Sequence, residues 1–258
     1  MQTLFDARVY PAGLADSDLQ TLRYFEVTHL LAAAIPPGPT VTPAAITEAL
    51  AALLTTQLPR LEREGLEGWA ALGVPARALP RRGLTEVLAG LPGLFKHPRA
   101  KAIGPLELWR GGEAEEEAFT EQLKLARQLR LAVWVTTWGE GREANTRRAL
   151  QLLKASNVDP ARVLVDGAVA RTVKLIRACG YTAGLTIHPD GLRAEDAVGL
   201  VKKLGPEGLA LSTAAGLGAA DLLGLARTAH LLQQAGLSRA VVARVTSNNA
   251  AALLGASV

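Results

Sequence analysis

The sequence has little of what secreted and membrane-embedded proteins depend on. Cys179 is the only cysteine among 258 residues, so an intramolecular disulfide is impossible and a reducing compartment is expected. No apolar run approaches the roughly 18 residues that a membrane-spanning helix needs. The first residues, MQTLFDARVYP, lack the basic and then apolar pattern of a signal peptide. We therefore predict a cytoplasmic protein with no membrane association.

The chain also has no large excess of positive or negative charge. The chain has 28 Lys and Arg against 24 Asp and Glu, a formal net charge of +4, and only 4% of its residues are aromatic. Nucleic-acid-binding surfaces need clustered basic side chains, whereas the basic residues here are scattered along the chain. No nucleic-acid partner is expected. The 49% apolar fraction is ample for a large core.

Common cofactor and nucleophile motifs are absent as well. No G-x-G-x-x-G follows the first apolar run and no P-loop is present, which disfavours nucleotide binding. Ser212 lies outside any G-x-S-x-G elbow, so a serine triad has little support.

Eight short apolar runs alternate with amphipathic segments, the pattern of a parallel sheet covered by helices. The predicted strands are Leu4 to Tyr10, Val27 to Ile35, Leu66 to Val74, Lys101 to Leu108, Leu131 to Trp138, Val163 to Ala168, Thr182 to His188 and Leu209 to Ala214. The clearest helix is Glu113 to Leu129, with an acidic first turn and a basic end. Another helix contains Pro59, which would kink or divide it. Eight such units predict a single (β/α)8 TIM-barrel domain spanning residues 1–258. A doubly wound open sheet is the alternative, because the pattern alone does not reveal closure.

Several fragments, in their order and spacing, carry a family resemblance. They are FDARVY, AIGPLEL, LAVWVTT, DPARVLVDG, GLTIHPD, LALSTAAG and VTSNNAAALLG. Together they resemble the TatD-related metal-dependent hydrolases, TIM-barrel members of the amidohydrolase superfamily. The resemblance covers nearly the whole chain and implies the same barrel that the strand count predicts.

The resemblance also implies two divalent metals at the carboxyl-terminal mouth of the barrel. The family's ligands are an H-x-H pair on the first strand, a carboxylate on the fourth, one His each on the fifth and sixth, and an Asp on the eighth. The corresponding positions here read Arg8, Tyr10, Pro105, Thr136, Gly167 (Asp166 if the register slips by one) and Gly216 (with Ala214 or Ala215 nearby). Pro and Gly have no side-chain donor, and an Arg would bring positive charge to the place of a dication. We therefore expect no bound metal and no other cofactor.

Other polar side chains at the predicted strand ends could rebuild a site. The mouth candidates are Arg8, Tyr10, Glu107, Thr136, Asp166, His188 and Ser212, with Asp190 and Thr213 nearby. Glu107 lies two residues beyond the lost carboxylate and therefore on the same side of its strand. It would either replace that carboxylate or form an ion pair with Arg8 or Arg110. His188 is expected at the rim or in contact with a ligand rather than on a metal.

Three tryptophans fall at or near the ends of the fourth and fifth strands. Trp109, Trp134 and Trp138 would either fill the barrel and cap its mouth or line a pocket for an apolar small molecule.

Two functions follow from these residues. The first is a non-catalytic binding, scaffold or regulatory protein that acts with a protein partner or a small-molecule ligand; a homo-oligomer is compatible with its apolar helices. The alternative is an active hydrolase of phosphoester or amide bonds that uses rebuilt mouth residues, with Arg8 and Tyr10 binding an anionic group. The first hypothesis predicts that the mouth side chains are paired off, and the second that they converge on an open cavity.

Overall fold

The computed structural model describes residues 3–34, 42–138 and 141–257. Eight parallel strands form one sheet whose spatial order follows the chain, from β1 to β8. The strands are β1 Leu4–Val9, β2 Val27–Ala33, β3 Glu67–Leu72, β4 Ala100–Glu107, β5 Ala132–Thr136, β6 Val163–Asp166, β7 Thr182–Thr186 and β8 Leu209–Ser212. Almost every strand residue is buried, as expected for strands covered on both faces.

Helices follow the strands and form the outer layer. They are α1 Asp16–Tyr24, α2 Pro43–Ala52, α3 Leu58–Arg63, α4 Leu84–Leu94, α5 Glu113–Leu129, α6 Arg142–Ser156, α7 Ala170–Ala178, α8 Ala194–Leu204, α9 Gly224–Gln234, α10 Arg239–Ala243 and α11 Asn249–Leu254. Two π turns, Leu53–Gln57 and Arg244–Asn248, join α2 to α3 and α10 to α11. In the described part of the chain, no helix is both long and apolar enough to cross a membrane.

The sheet closes on itself between β1 and β8. The Tyr10 N–H donates to the Ala215 carbonyl over 2.7 Å, and Val9 forms a parallel bridge with Ala215. Lower on the seam, the Asp6 carboxylate accepts bonds from the Thr213 N–H at 3.1 Å and the Thr213 hydroxyl at 2.5 Å. The predicted (β/α)8 barrel is confirmed, and the open-sheet alternative is wrong. The closing contacts are fewer than in a full ladder, so a side chain completes the seam.

The barrel interior is lined largely by small residues. Alanines from five strands (Ala7, Ala71, Ala102, Ala132 and Ala210) surround the large side chains that fill it, namely Phe5, Trp69 and Trp134. Helix α11 closes the amino-terminal end of the barrel, where its buried apolar face joins the same cluster.

The predicted strands all extend one or two residues past the observed ends; Ile35, the predicted end of the second, lies outside the described residues. The sequence pattern continues because the described residues beyond the strand ends stay buried or half-buried at the rim. Isolated hydrogen bonds to the next strand replace the ladder there. The Thr137 N–H donates to the Asp166 carbonyl, and the Ile187 N–H donates to the Ser212 carbonyl.

Pro59 neither ends nor divides its helix. In the π turn before it, the Leu58 N–H donates to the Leu53 carbonyl, one residue further back than in an α-helix. Pro59 has no N–H and falls in the first turn of α3, where an unpaired donor is normal. The helical path therefore continues from Pro43 to Arg63.

Candidate functional site

An ion pair lies at the carboxyl-terminal mouth of the barrel. Arg8 Nη1, from β1, is 3.3 Å from Asp166 Oδ2, at the end of β6, and the two side chains are 1% and 0% exposed. Arg8 Nε also donates to the Tyr10 hydroxyl at 3.3 Å. Burial opposes the charge on Arg8, but Tyr10 and Asp166 outweigh it and raise the Arg8 pKa. Three predicted mouth residues are thus brought together and bonded to one another.

Two hydroxyl groups hold the other oxygen of Asp166. Thr186 Oγ1, from β7, and Ser212 Oγ, from β8, donate to Asp166 Oδ1 over 2.9 and 3.0 Å. Gly184 is required beside them, because a Cβ there would lie 2.3 Å from Asp166 Oδ1. Ser212 therefore positions a carboxylate in this structure.

Asp6 lies at the edge of the same cluster. Its Oδ1 also accepts from the Arg8 backbone N–H at 3.0 Å, in addition to the two bonds from Thr213. Burial and, more weakly, the nearby Asp166 carboxylate raise the Asp6 pKa to about 7 in spite of these bonds. This role of Asp6 was not predicted from the sequence; its place two residues before Arg8 was the available signal.

Glu107, at the end of β4, has a different partner from the two predicted. Arg77 Nε lies 3.1 and 3.0 Å from its two carboxylate oxygens. Burial raises the Glu107 pKa, while Arg77 and, more weakly, Arg8 oppose the increase. The predicted Arg110 pairing is wrong and Arg8 contributes only at longer range; the Arg110 backbone N–H instead binds Glu115.

Trp138, just beyond β5, covers the mouth. The guanidinium carbons of Arg8 and Arg142 lie 5.1 and 4.8 Å from its ring centroid, and His188 meets it edge-on at 5.3 Å. Arg142 Nη2 donates to the Asp190 carbonyl at 3.3 Å. His188 is 7% exposed, and its Nδ1 accepts the Asp190 N–H at 3.1 Å, which places it at the rim.

The other two tryptophans occupy different places. Trp134 is fully buried inside the barrel, with its ring centroid 6.4 Å from that of Tyr10. Trp109 lies beside Arg77, whose guanidinium carbon is 5.0 Å from the Trp109 ring. Of the three tryptophans predicted near the mouth, one therefore fills the barrel, one covers the mouth and one lies against the Arg77 side chain.

Two buried polar atoms on β5 have no partner among the described residues. They are Thr136 Oγ1 and Trp134 Nε1. Thr136 is 1% exposed and lies in register with Asp166 on β6 and Glu107 on β4. An orphan hydroxyl therefore lies between the two carboxylate-bearing strand ends.

Comparison with known proteins agrees with this architecture. No family profile matches the chain. An uncharacterized metal-dependent hydrolase of Methanocaldococcus jannaschii is 25% identical over 248 residues, 95% of this chain and 97% of that protein. A TatD-like protein of Archaeoglobus fulgidus superposes with a TM-score of 0.76 at 22% identity, covering 89% of this chain and 92% of the other. The chain therefore has the fold of these TatD-like proteins.

Two further solved structures share this TatD-like fold. A TatD homologue of Escherichia coli gives a TM-score of 0.70 at 16% identity, covering 98% of each chain. An organophosphorus hydrolase of Deinococcus radiodurans gives 0.66 at 14% identity, covering 98% of this chain and 92% of the other. The predicted resemblance to the TatD-related hydrolases is confirmed.

The residues at the mouth of this TatD-like barrel do not fit a pair of divalent metals. Within residues 3–34, 42–138 and 141–257, no three His, Cys, Asp or Glu side chains form a group that could hold a metal ion. Gly167 and Gly216 stand at two implied ligand positions, with φ of 79° and 85°. A Cβ at these glycines would lie 2.2 Å from the Thr137 carbonyl oxygen and 2.1 Å from the Tyr10 carbonyl oxygen. The backbone therefore leaves no space there for a His or an Asp.

Proposed function

We propose that this TatD-like barrel has lost the metal site and acts as a non-catalytic binding, scaffold or regulatory protein. The observation that carries the proposal is the buried Arg8–Asp166 ion pair at the mouth. Arg8 stands at a position where the family resemblance implies a metal-binding His, and Asp166 is already bonded to three side chains.

The electrostatics of Arg8 argue against a dication. Two unit charges 4 Å apart repel by about 4 kcal/mol at an effective dielectric of 20, and a dication about doubles that cost. Because the Arg8 pKa is raised, the side chain does not lose its proton to relieve the repulsion. A metal would have to displace the guanidinium and leave it buried without its counter-charge.

The pairing of the mouth side chains supports the first of the two functions. Arg8 is bonded to Asp166 and Tyr10, and Glu107 to Arg77. An active hydrolase would need several of these groups free to reach a substrate or a water molecule. A protein that binds or positions a ligand or partner has no such requirement.

Metal content is the deciding measurement. The protein is purified without chelators, analysed for bound metals, and then titrated with Zn²⁺, Mn²⁺ and Ni²⁺ while its thermal unfolding is followed. We expect less than about 0.1 metal ion per chain and no metal-dependent rise in Tm, since stabilisation requires binding to the folded state. Near-stoichiometric metal would overturn the proposal.

A hydrolase assay complements the metal analysis. Phosphoester and amide substrates are incubated with the protein and the metal ions, and the Deinococcus radiodurans organophosphorus hydrolase serves as the positive control on an organophosphate. We expect no turnover by this chain above that of a blank without protein. Turnover that is lost in Arg8→Met, under conditions where circular dichroism shows that this variant is folded, would instead establish the active-hydrolase alternative.

A further inference from the structure

The centre of the mouth has more hydrogen-bond donors than acceptors. The Arg8 guanidinium has five N–H groups, and its bonds to described residues are one from Nε to Tyr10 and one from Nη1 to Asp166. On β5, Thr136 Oγ1 and Trp134 Nε1 are buried and have no hydrogen-bond partner among the described residues. Guanidinium and indole nitrogens only donate, so the missing partner must accept hydrogen bonds.

These donors surround one region. Thr136 lies in register between Asp166 and Glu107. Arg8 binds Asp166 directly and interacts electrostatically with Glu107. Trp134 lies two residues before Thr136, on the same face of β5. Its ring is 6.4 Å from Tyr10, which Arg8 also contacts. Thr136 and the Arg8 guanidinium therefore adjoin the same strand end, that of β6.

The described carboxylates do not fully balance the positive charge at this end of the barrel. Arg8 is paired with Asp166, and Arg77 with Glu107. Arg142 makes its described hydrogen bond to a backbone carbonyl and lies against Trp138, the ring that Arg8 also contacts. The third carboxyl group of the described mouth, Asp6, has a pKa raised to about 7 and is only partly charged near neutral pH, so the three guanidinium groups are not fully balanced.

We infer that the mouth binds the oxyanion group of a small molecule, with Arg8, Arg142 and Thr136 as its donors. Phosphate, sulfate and carboxylate share this chemistry, since each presents several charged acceptor oxygens to N–H and O–H groups. The inference rests on the proposed function, because anion and metal would occupy the same place. At positions where the family resemblance implies metal ligands, such as Arg8 and Thr136, this barrel carries side chains that donate hydrogen bonds and suit an anion.

Thermal unfolding with inorganic anions tests the inference. The protein, in a buffer containing a chelator, is titrated with sodium phosphate, sodium sulfate or sodium acetate, and sodium chloride keeps the ionic strength constant. We expect Tm to rise with the logarithm of the concentration of at least one oxyanion, as for a ligand that binds only the folded state. The anion with the largest effect identifies the chemical group. No rise with any of the three would overturn the inference.

Two substitutions locate the binding site. Thr136→Val keeps the shape of the side chain and removes the orphan hydroxyl, and Arg142→Gln removes one of the three guanidinium charges. We expect each to weaken oxyanion binding by about tenfold or more, as for the loss of a charge-assisted hydrogen bond. Without oxyanion, Thr136→Val should leave Tm unchanged or raise it, because it removes a buried unsatisfied group.

The chain offers a matched control for each variant. Arg147→Gln makes the same change on an exposed face of α6, where Arg147 pairs with Glu143. Thr228→Val removes a buried hydroxyl on α9 that bonds the Gly224 carbonyl. Both controls should retain the full oxyanion response, whatever their own stability. A response unchanged in Thr136→Val and Arg142→Gln would place the anion elsewhere and overturn the inference.

The chelator separates this inference from the proposed function. An oxyanion response that requires added Zn²⁺, together with stoichiometric metal, would overturn both. A metal-free protein with no oxyanion response would overturn the anion site alone and leave the non-catalytic barrel standing.

Discussion

Arg8 and Asp166 are buried opposite charges, so removing either leaves the other without its counter-charge. We expect Arg8→Met to lower the free energy of unfolding by about 3–5 kcal/mol, the usual cost of breaking a buried pair from one side. The double variant Arg8→Met/Asp166→Asn should recover part of that loss, because no unpaired charge remains. Urea denaturation of the two single variants and the double variant measures the coupling. A loss of stability in the double variant equal to the sum of the two single losses would contradict this coupling.

Asp6 should make stability depend on pH. Its folded-state pKa is about 7, well above the ordinary value near 3.9, so the folded protein binds this proton more tightly than the unfolded chain does. The contribution of Asp6 to stability is therefore largest below about pH 4 and is lost as the pH rises through 7, by up to about 4 kcal/mol. Other carboxyl groups titrate in the same range, so the effect must be isolated by comparison.

The variant Asp6→Asn provides that comparison. An amide resembles the protonated carboxyl: its oxygen accepts from the Arg8 and Thr213 N–H groups, and its nitrogen can donate to Thr213 Oγ1. Unfolding free energies of both proteins are measured by urea denaturation from pH 4 to pH 8. The advantage of Asp6→Asn should grow up to about pH 7 and then level off. A difference independent of pH would show that Asp6 titrates normally.

The location of the candidate residues at the mouth was predictable from the sequence, but which of them form pairs was not. Arg8, Tyr10, Thr136, Asp166 and Ser212 follow from the strand pattern, because the carboxyl ends of parallel strands meet at one edge of a barrel. The pairings depend on side chains delivered by loops. Arg77, for example, comes from the turn Ala76–Ala78 after β3, and no periodicity marks where its guanidinium will lie.

At the scale of elements, α5 shows what a strong local pattern can predict. Its predicted bounds, Glu113 to Leu129, are those observed, because an acidic first turn, helical apolar spacing and a basic end agree. The bounds of the helix after β8 were predicted less well. The helical pattern after β8 predicts a start at Ala219, but α9 begins at Gly224, since the Asp221 carboxylate binds the Leu223 N–H and holds a turn ahead of it.

Gln122 on α5 is a polar residue on a buried face, and its amide joins the helix to the end of β3. Val74 N–H donates to Gln122 Oε1 at 2.7 Å, and Gln122 Nε2 donates to the Val74 carbonyl at 3.0 Å. We expect Gln122→Met to cost about 1–3 kcal/mol for each backbone group left unpaired. Gln128→Met, on the exposed face of the same helix, should change stability by less than about 0.5 kcal/mol. Urea denaturation compares the two variants, and equal effects would contradict this role.

At the scale of the whole molecule, the seam between β1 and β8 is the weakest line of the barrel. The Asp6–Thr213 contacts replace part of the backbone ladder there, whereas β4 and β5 pair along four residue positions. We expect Thr213→Val to accelerate amide hydrogen exchange in peptides from β1 and β8 by about tenfold, with little change in β4 and β5. Mass spectrometry resolves these regions. Uniform acceleration around the barrel would indicate global destabilisation instead.

The position of helix α11 in the chain determines when the barrel core can be completed during synthesis. Its buried residues close the amino-terminal end of the barrel, yet it follows all eight strands in the chain. During synthesis, a nascent chain that has emerged as far as β8 still lacks α11, so the amino-terminal end of the barrel is open and water can reach Phe5 and Trp134. Cotranslational assembly of the sheet therefore cannot complete the core, and the final sealing of the interior waits for the segment after β8 to leave the ribosome.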